Sequence, residues 1–489
     1  MRRKNIPLVL VVAVAAFLFL RPTLSEKFPA WPGYRVAPYV RVKAPLVALT
    51  HVRVIDGTGS APLQNSTVIL SHGTIQSIGN SDTTSAPAGA EVLDLTGYTV
   101  IPGLVGMHDH LFYGGVAHLS GLSGWTIREM AFAFPRLYLA SGVTTIRTAG
   151  ALDASTDLRL KTQIDNGWII GPKIFVSGPY FDNITPAQAR EGVATWAAKG
   201  ATSFKAYTSI TRAGLAATIE AAHQRNLKVT AHLCAVGFRE AIRLGIDNLE
   251  HGLLVDTEFD PQKIPDACPP RPEWMSSLVQ LDLESPPVQD VIHDLVSHHV
   301  AVTSTLPVFE TYAPFRAPGL TRILEALQPS SRADYLDVRA DVNRNLGESP
   351  FWPGLFKKEM QFERDFVKAG GLVLAGVDPT GNGGNLAGFG DQREVELLVE
   401  AGFTPVQAIQ IATANGASFL GESDHIGLLA PGKQADLVVI HGDPSTTIAD
   451  IENVEIVFKD GVGYDSVKLI KSVRSSVGLH WTEDRLWLR

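Results

Sequence analysis

Residues 101–112 read IPGLVGMHDHLF. The run begins as a core strand should, with Leu104 and Val105, and ends on two imidazoles, His108 and His110, flanking one carboxylate, Asp109. Side chains alternate along a strand, so residues i and i+2 share a face. His108 and His110 therefore point together to one side, and Asp109 points to the other. Two histidines on a buried face must be hydrogen-bonded or share a ligand. The pair alone does not say which.

Outward from this strand the chain alternates short apolar strands with amphipathic helices. The seven strand candidates after LVGMHDH are GVTTIRTAG, PKIFVSGPY, ATSFKAYTS, KVTAHLC, DNLEHGL, HVAVTSTL and LVLAGVD, which makes eight with LVGMHDH itself. Such alternation predicts a parallel sheet, and eight units fit an α/β fold of the (β/α)8 TIM-barrel kind over residues 104–420. That span exceeds the usual ~250 residues. Insertions are therefore expected in the proline-rich segments after Asp256 and after Thr311. Either side of the barrel the grammar changes. Residues 47–103 and 421–465 read as strands around His72-Gly73, Pro-Gly and Asp-Gly turns, with EVLDLTGYTVIPG adding another strand pair. They predict a small β-sandwich assembled from both chain ends.

The chemistry-bearing residues fall at the C-terminal ends of the strand candidates, the face on which barrel active sites are built. Lys205, His232, His251 and Asp378 join His108 and His110 there. Imidazole with carboxylate is the ligand mixture that suits zinc and its neighbours. A free lysine ammonium beside cations would be repelled, so Lys205 is either neutral, chemically changed or snorkelling away. Tyr207 lies two residues past Lys205 on the same face and is a candidate substrate or oxyanion donor. Arg147 points inward, either to a substrate carboxylate or to an internal ion pair. Cys234, two past His232, faces inward. His118 and the histidines at 223, 293, 298 and 299 read as surface or packing residues. GVDPTGNGGNLAGFG reads as a mobile rim loop.

These residues resemble the metal-dependent amidohydrolase superfamily, in particular its imidazolonepropionase-like and prolidase-like branch. The resemblance runs from Leu49 to about Tyr464, through VIDGTG, VIPGLVGMHDH, SGVTTIRTAG, FKAYTS, VTAHLCAVGFREAIRLGIDNLEHG, LAGVDPTG, ELLVEAGFTPVQAIQIATANGASFLG and GLLAPGKQADLVVI. It implies two divalent metal ions, zinc first among them. His108, His110 and Asp378 would hold one, His232 and His251 the other. A carbon dioxide-derived carbamate on Lys205 would bridge them. It further implies hydrolysis of an amide or small-peptide C–N bond by a metal-bridging hydroxide, with Asp378 as base and then acid. One-metal cyclic amidase, lactonase or phosphotriesterase activity, and a non-catalytic scaffold, are the alternatives. Deaminases of this family tend to carry a glutamate shortly after the histidine equivalent to His232; here Leu233-Cys234-Ala235 follow. Relatives often have an aspartate after the arginine at 147, where this chain has Thr148.

The rest of the sequence bounds the setting. Arg2, Arg3 and Lys4 precede an apolar run from Ile6 to Leu20. As a helix this spans about 22 Å, short of a ~30 Å hydrocarbon core. Residues 1–25 are expected to be a secretory signal or a membrane anchor, and 26–46 a linker, so the body is exported to the periplasm or beyond. A net charge of −8 without a basic block argues against a nucleic-acid partner. The partner is a small molecule or peptide, with the membrane touched only through the N-terminal segment. The two cysteines, Cys234 and Cys268, exclude a disulfide framework but allow one bridge. The tail 466–489 is expected to pack on a neighbour or on a second subunit in a homo-oligomer.

Overall fold

The structure, a computed structural model, describes residues 36–117, 124–316 and 320–479. The expected leader, most of the linker, His118, Trp481 and Trp487 lie outside the described residues. Among these residues no helix is long and apolar enough to cross a membrane.

All eight strand candidates form strands, and all pair in parallel. One sheet holds Lys173–Phe175, Val143–Thr148 and Leu104–Asp109 in that order. The other runs Ser177–Phe181, Ser203–Ala206, Lys228–Ala231, Asn248–Glu250, Ala301–Ser304 and Val373–Ala375. Only Val176 separates Phe175 from Ser177. On the far side the backbone N–H groups of Val377 and Asp378 donate to the carbonyl of His108, at 3.3 and 2.8 Å. Apolar residues such as Ile146, Phe204, Val229, Leu249 and Val302 are fully buried on these strands. Sheets of this kind are buried on both faces. The architecture is α/β of TIM-barrel type.

The chain ends supply a nine-stranded sheet with a core of its own, including Val52, Val54, Val68, Val100, Leu437, Val439, Ile456 and Phe458. Leu63–Ser71 and Thr74–Asn80 form the expected hairpin. Its turn places His72 and Gly73 at φ of 50° and 83°, the left-handed conformations that a tight hairpin needs. Glu91–Asp94 and Tyr98–Pro102, expected as a strand pair, do not pair with each other. Both lie parallel to Leu46–Val54 at successive positions along it. The tail residues 466–479 pack on this same chain: Ser466 Oγ donates to Ala140 O at 2.6 Å, and Val477 bridges Leu327.

Behind the strands, helices Trp352–Lys368 and Phe389–Ala401 bury Glu359, Glu363, Asp391 and Glu394 together. Burial pushes the Glu363 carboxyl up to about 8. Its unfolded value is near 4.5, so its contribution to stability is present below that pH and lost as pH rises through about 8. Glu363→Gln should therefore raise the urea midpoint at pH 8.5 relative to the parent protein and change it little at pH 4. Equal midpoint shifts at the two pH values would show that Glu363 does not titrate in this window.

Candidate active site

The site is built from the floor upward. Glu250 ends its strand with its carboxylate wholly buried. Arg147 Nη2 donates to Glu250 Oε1 at 2.8 Å, Lys205 Nζ stands 3.5 Å from the same oxygen, and His108 Nδ1 lies 2.8 Å from Oε2. Burial alone would raise this carboxyl, but Arg147, Lys205 and His108 together hold it well below the usual range. It is a permanent anion.

Three of the imidazoles, those of His108, His110 and His251, are oriented from behind. The partner of His108 Nδ1 is a carboxylate, which only accepts, so Nδ1 carries the proton and Nε2 offers its lone pair. His110 Nδ1 is likewise 3.1 Å from Gly150 O, and His251 Nδ1 is 2.8 Å from Thr305 Oγ1. The three Nε2 atoms converge on Asp378, at 3.9, 3.4 and 4.0 Å from its carboxylate oxygens. Holding the outer nitrogen so that the inner one faces a common point is how metal-binding histidines are arranged. Burial and then Lys205 lower His108 to about 4, and loss of solvation and then Lys205 lower His232 to about 3. Burial, with His108 and His232, also lowers His251. These imidazoles are therefore neutral at pH 7, the state that coordinates cations. Asp378 stays ionised: burial would raise it, but in acid the charged form of His108 opposes its protonation, and His110 and the Thr380 hydroxyl, which donates to Oδ1 at 2.9 Å, hold it below the usual range.

Two of these residues depart from strand alternation. Glu250 faces inward, so His251 would face outward; a left-handed φ of 69° turns it back into the mouth. Asp378 does the same at φ 46°. Such conformations are rare outside glycine and persist where surroundings enforce them. Glu359 accepts the Leu254 N–H at 3.0 Å beneath the His251 turn. A Cβ on Gly252 would meet Glu359 Oε1 at 1.6 Å. Asp378 is held by its own N–H to His108 O and by Asn385 Nδ2, which donates to its carbonyl at 2.8 Å. The loop expected to be mobile thus packs down as a clamp, with Asn382, Asn385, Leu386 and Ala387 buried.

Lys205 stands at the centre. It is 1% exposed, and its Nζ has no hydrogen-bond partner. Burial lowers it more than Glu250 raises it, to about 8. His108, His110 and Asp378 have donor atoms within 4.8 Å of one another and could hold a metal ion. His232 joins them through His251, ring centroids 4.4 Å apart, and Tyr207 packs on His232 at 5.2 Å. All seven of these residues line one cavity of about 650 Å³. This donor chemistry, neutral imidazoles beside an ionised carboxylate and a partly neutral amine, fits divalent cations.

Arg147 is not at the cavity. Besides Glu250 it donates to Met107 O and to Asn248 Oδ1 at 2.8 and 3.0 Å. Of the two readings of this arginine, the internal ion pair is the one present, so it does not meet a substrate carboxylate. Cys234 is bonded to Cys268 and is no ligand. Glu250 was not among the sequence candidates. Alternation with an inward His251 assigns Glu250 to the outer face, which is why it was missed; the signal available was only an acidic residue beside a ligand histidine at a strand end.

Against this geometry the comparisons fall into place. The chain belongs to the amidohydrolase family, whose sequence model matches residues 99–262 and 357–462, more than half of the protein. Hydrolysis at a carbon–nitrogen bond is the class of chemistry this membership brings. A Bifidobacterium longum protein provisionally described as a prolidase is 25% identical over 89% of this chain and 100% of its own, with a TM-score of 0.61. A Xaa-Pro dipeptidase with methionine bound in its active site shares the fold at 21% identity and a TM-score of 0.63, covering 86% of this chain and 100% of its own. A local stretch of 46 residues is 50% identical to adenine deaminase 1 of Carboxydothermus hydrogenoformans, but spans only 9% of this chain and 8% of that relative.

Removing the floor anion tests this account of the site. Glu250→Ala leaves Arg147 and Lys205 buried without a countercharge, and should cost roughly 3–5 kcal/mol in denaturant unfolding. A loss under ~1 kcal/mol would mean that the charges are solvated rather than paired.

Proposed function

We propose that this protein is an exported, metal-dependent hydrolase of amide or small-peptide C–N bonds, of dipeptidase or prolidase character. The observation that carries the reading is the buried Lys205 amine, paired only with Glu250 at 3.5 Å and partly neutral, lining one cavity with His108, His232, His251 and Asp378. We read the two parallel sheets as one closed barrel over 104–420. The terminal sheet we read as a small sandwich of 47–103 and 421–465. The bridge between Cys234 and Cys268 supports export, since disulfides persist in oxidising compartments.

In this reading His108, His110 and Asp378 would hold one cation and His232 and His251 a second. Lys205 would be a further ligand once its neutral amine has added to carbon dioxide and shed a proton, which converts it into an anionic carbamate. The carbamate keeps one N–H, which can still donate to Glu250. Two bound cations supply Lewis acidity toward water and toward the scissile carbonyl at neutral pH. Asp378, ionised and with Oδ2 not engaged by Thr380, takes a proton from the attacking water and returns it to the departing amine. Tyr207, at the cavity wall, donates to the substrate oxygen as negative charge develops there.

One observation favours a second reading. Among the described residues only His108, His110 and Asp378 bring three donor atoms within 4.8 Å of one another, enough for one cation, as in a one-metal cyclic amidase. The carbamate decides between the two. With zinc and ¹³C-bicarbonate, the parent protein should show a carbamate carbon resonance that Lys205→Ala lacks; its absence would favour the one-metal reading. For the activity itself, chelation should abolish amide hydrolysis, and Asp378→Asn should lower kcat by about 10²–10⁴. Faster hydrolysis of matched esters than of amides would instead indicate a lactonase-type enzyme.

A further inference from the structure

The cavity is not symmetrical about the ligand cluster. From His251 a row of rings leads outward. Phe309 stands edge-on to His251 at 5.9 Å, Trp352 lies nearly parallel to Phe309 at 5.6 Å, and Tyr312 lies nearly parallel to Trp352 at 4.8 Å. All three line the cavity, and so do Leu254, Val255 and Pro269. Pro269 is fixed in place because Cys268 beside it is bonded to Cys234, two residues past His232.

The same cavity also carries a charged pair at the solvent. Arg271 Nε lies 2.8 Å from Glu348 Oε2, with side chains 50% and 37% exposed. Both residues line the same cavity. Burial pushes the Tyr312 hydroxyl up to about 12, and Arg271, Asp378 and Glu348, which line the same cavity, act on it electrostatically. An exposed ion pair is worth little and is readily exchanged. With cations bound beside Asp378 the cavity gains positive charge, which attracts a substrate carboxylate and repels a substrate amine. Arginine is also the side chain whose planar fork matches a carboxylate.

We propose that the substrate is an N-acyl or N-peptidyl aromatic amino acid. Its flat ring lies along the Phe309–Trp352–Tyr312 wall, and its α-carboxylate takes Arg271 in place of Glu348. Ring and carboxylate branch from one carbon, the carbon bonded to the scissile nitrogen, so that one cavity holds both. Hydrolysis adds one water across the C–N bond, oxygen to the acyl carbon and a proton to the nitrogen, and releases the aromatic amino acid. This inference rests on the amide-hydrolase reading.

The test uses the full-length, zinc-loaded protein with N-acetylphenylalanine, N-acetylalanine and N-acetylphenylalaninamide, following acetate release. Calorimetry with free phenylalanine and alanine gives a second readout that does not depend on turnover. The parent enzyme should favour N-acetylphenylalanine over each of the other two by about tenfold or more in kcat/KM, and bind phenylalanine about tenfold tighter than alanine. Arg271→Gln, at an exposed position, should bring the acid-to-carboxamide ratio close to one. Trp352→Leu, which keeps the position apolar, should reduce the phenylalanine-to-alanine ratio. Equal turnover of the phenylalanine and alanine compounds, or equal binding of the free amino acids, overturns this inference and leaves the amide-hydrolase reading standing. Failure to hydrolyse any amide overturns both.

Discussion

One buried carboxylate organises the centre of this molecule. Glu250 has no access to solvent and is surrounded by the Arg147 guanidinium, the Lys205 amine and the His108 ring. Burying charge is costly unless attraction and hydrogen bonds offset it. Here each partner is also given a geometry. Arg147 is tied through Met107 O to the strand beside its own and through Asn248 to the strand that carries Glu250 in the other sheet, so the anion is fixed to strands and not to a loop. His108 receives its tautomer, and with it a lone pair aimed at the cavity. Lys205 is kept pointing inward, where burial keeps its amine partly neutral.

From this floor the site rises by backbone devices. A strand presents alternate residues, yet the cluster draws on Glu250 and His251 in succession. The left-handed turn at His251 makes that feasible, and the Glu359 carboxylate beneath Gly252 leaves no room for a side chain there. Asp378 is set by the same conformation and clamped by Asn385. Ligand positions so enforced fit a site whose donors must be in place before substrate arrives. The outer wall is made differently, from helices and loops inserted between the later strands and fastened by one disulfide.

These two kinds of construction explain what the sequence did and did not disclose. The strands were legible because parallel strands buried on both faces read as short apolar runs, and the two-residue spacing of His108 and His110 reported a shared face directly. His251 and Asp378 were found at strand ends, but their orientation was not legible, since alternation has no term for a positive φ. Glu250 stayed hidden beside a histidine that drew attention first. The inward face of Arg147 could be read, but its partner could not, because Asn248 and Glu250 lie about a hundred residues away. The glycine-rich loop after Asp378 looked mobile by composition and is instead buried against Tyr113 and the barrel mouth. The pairing of Cys234 with Cys268 and the stacked rings of the wall depend on how the insertions fold back, which no local pattern encodes.

The central claim is that the ring of groups above Glu250 is a cation site. It is tested most directly by anomalous diffraction at the zinc edge from crystals of the zinc-loaded protein. The account predicts one peak within coordination distance of His108, His110 and Asp378, a second beside His232 and His251, and the Lys205 side chain between them. Zinc bound elsewhere, with His108 and His110 making only the hydrogen bonds described above, would contradict it.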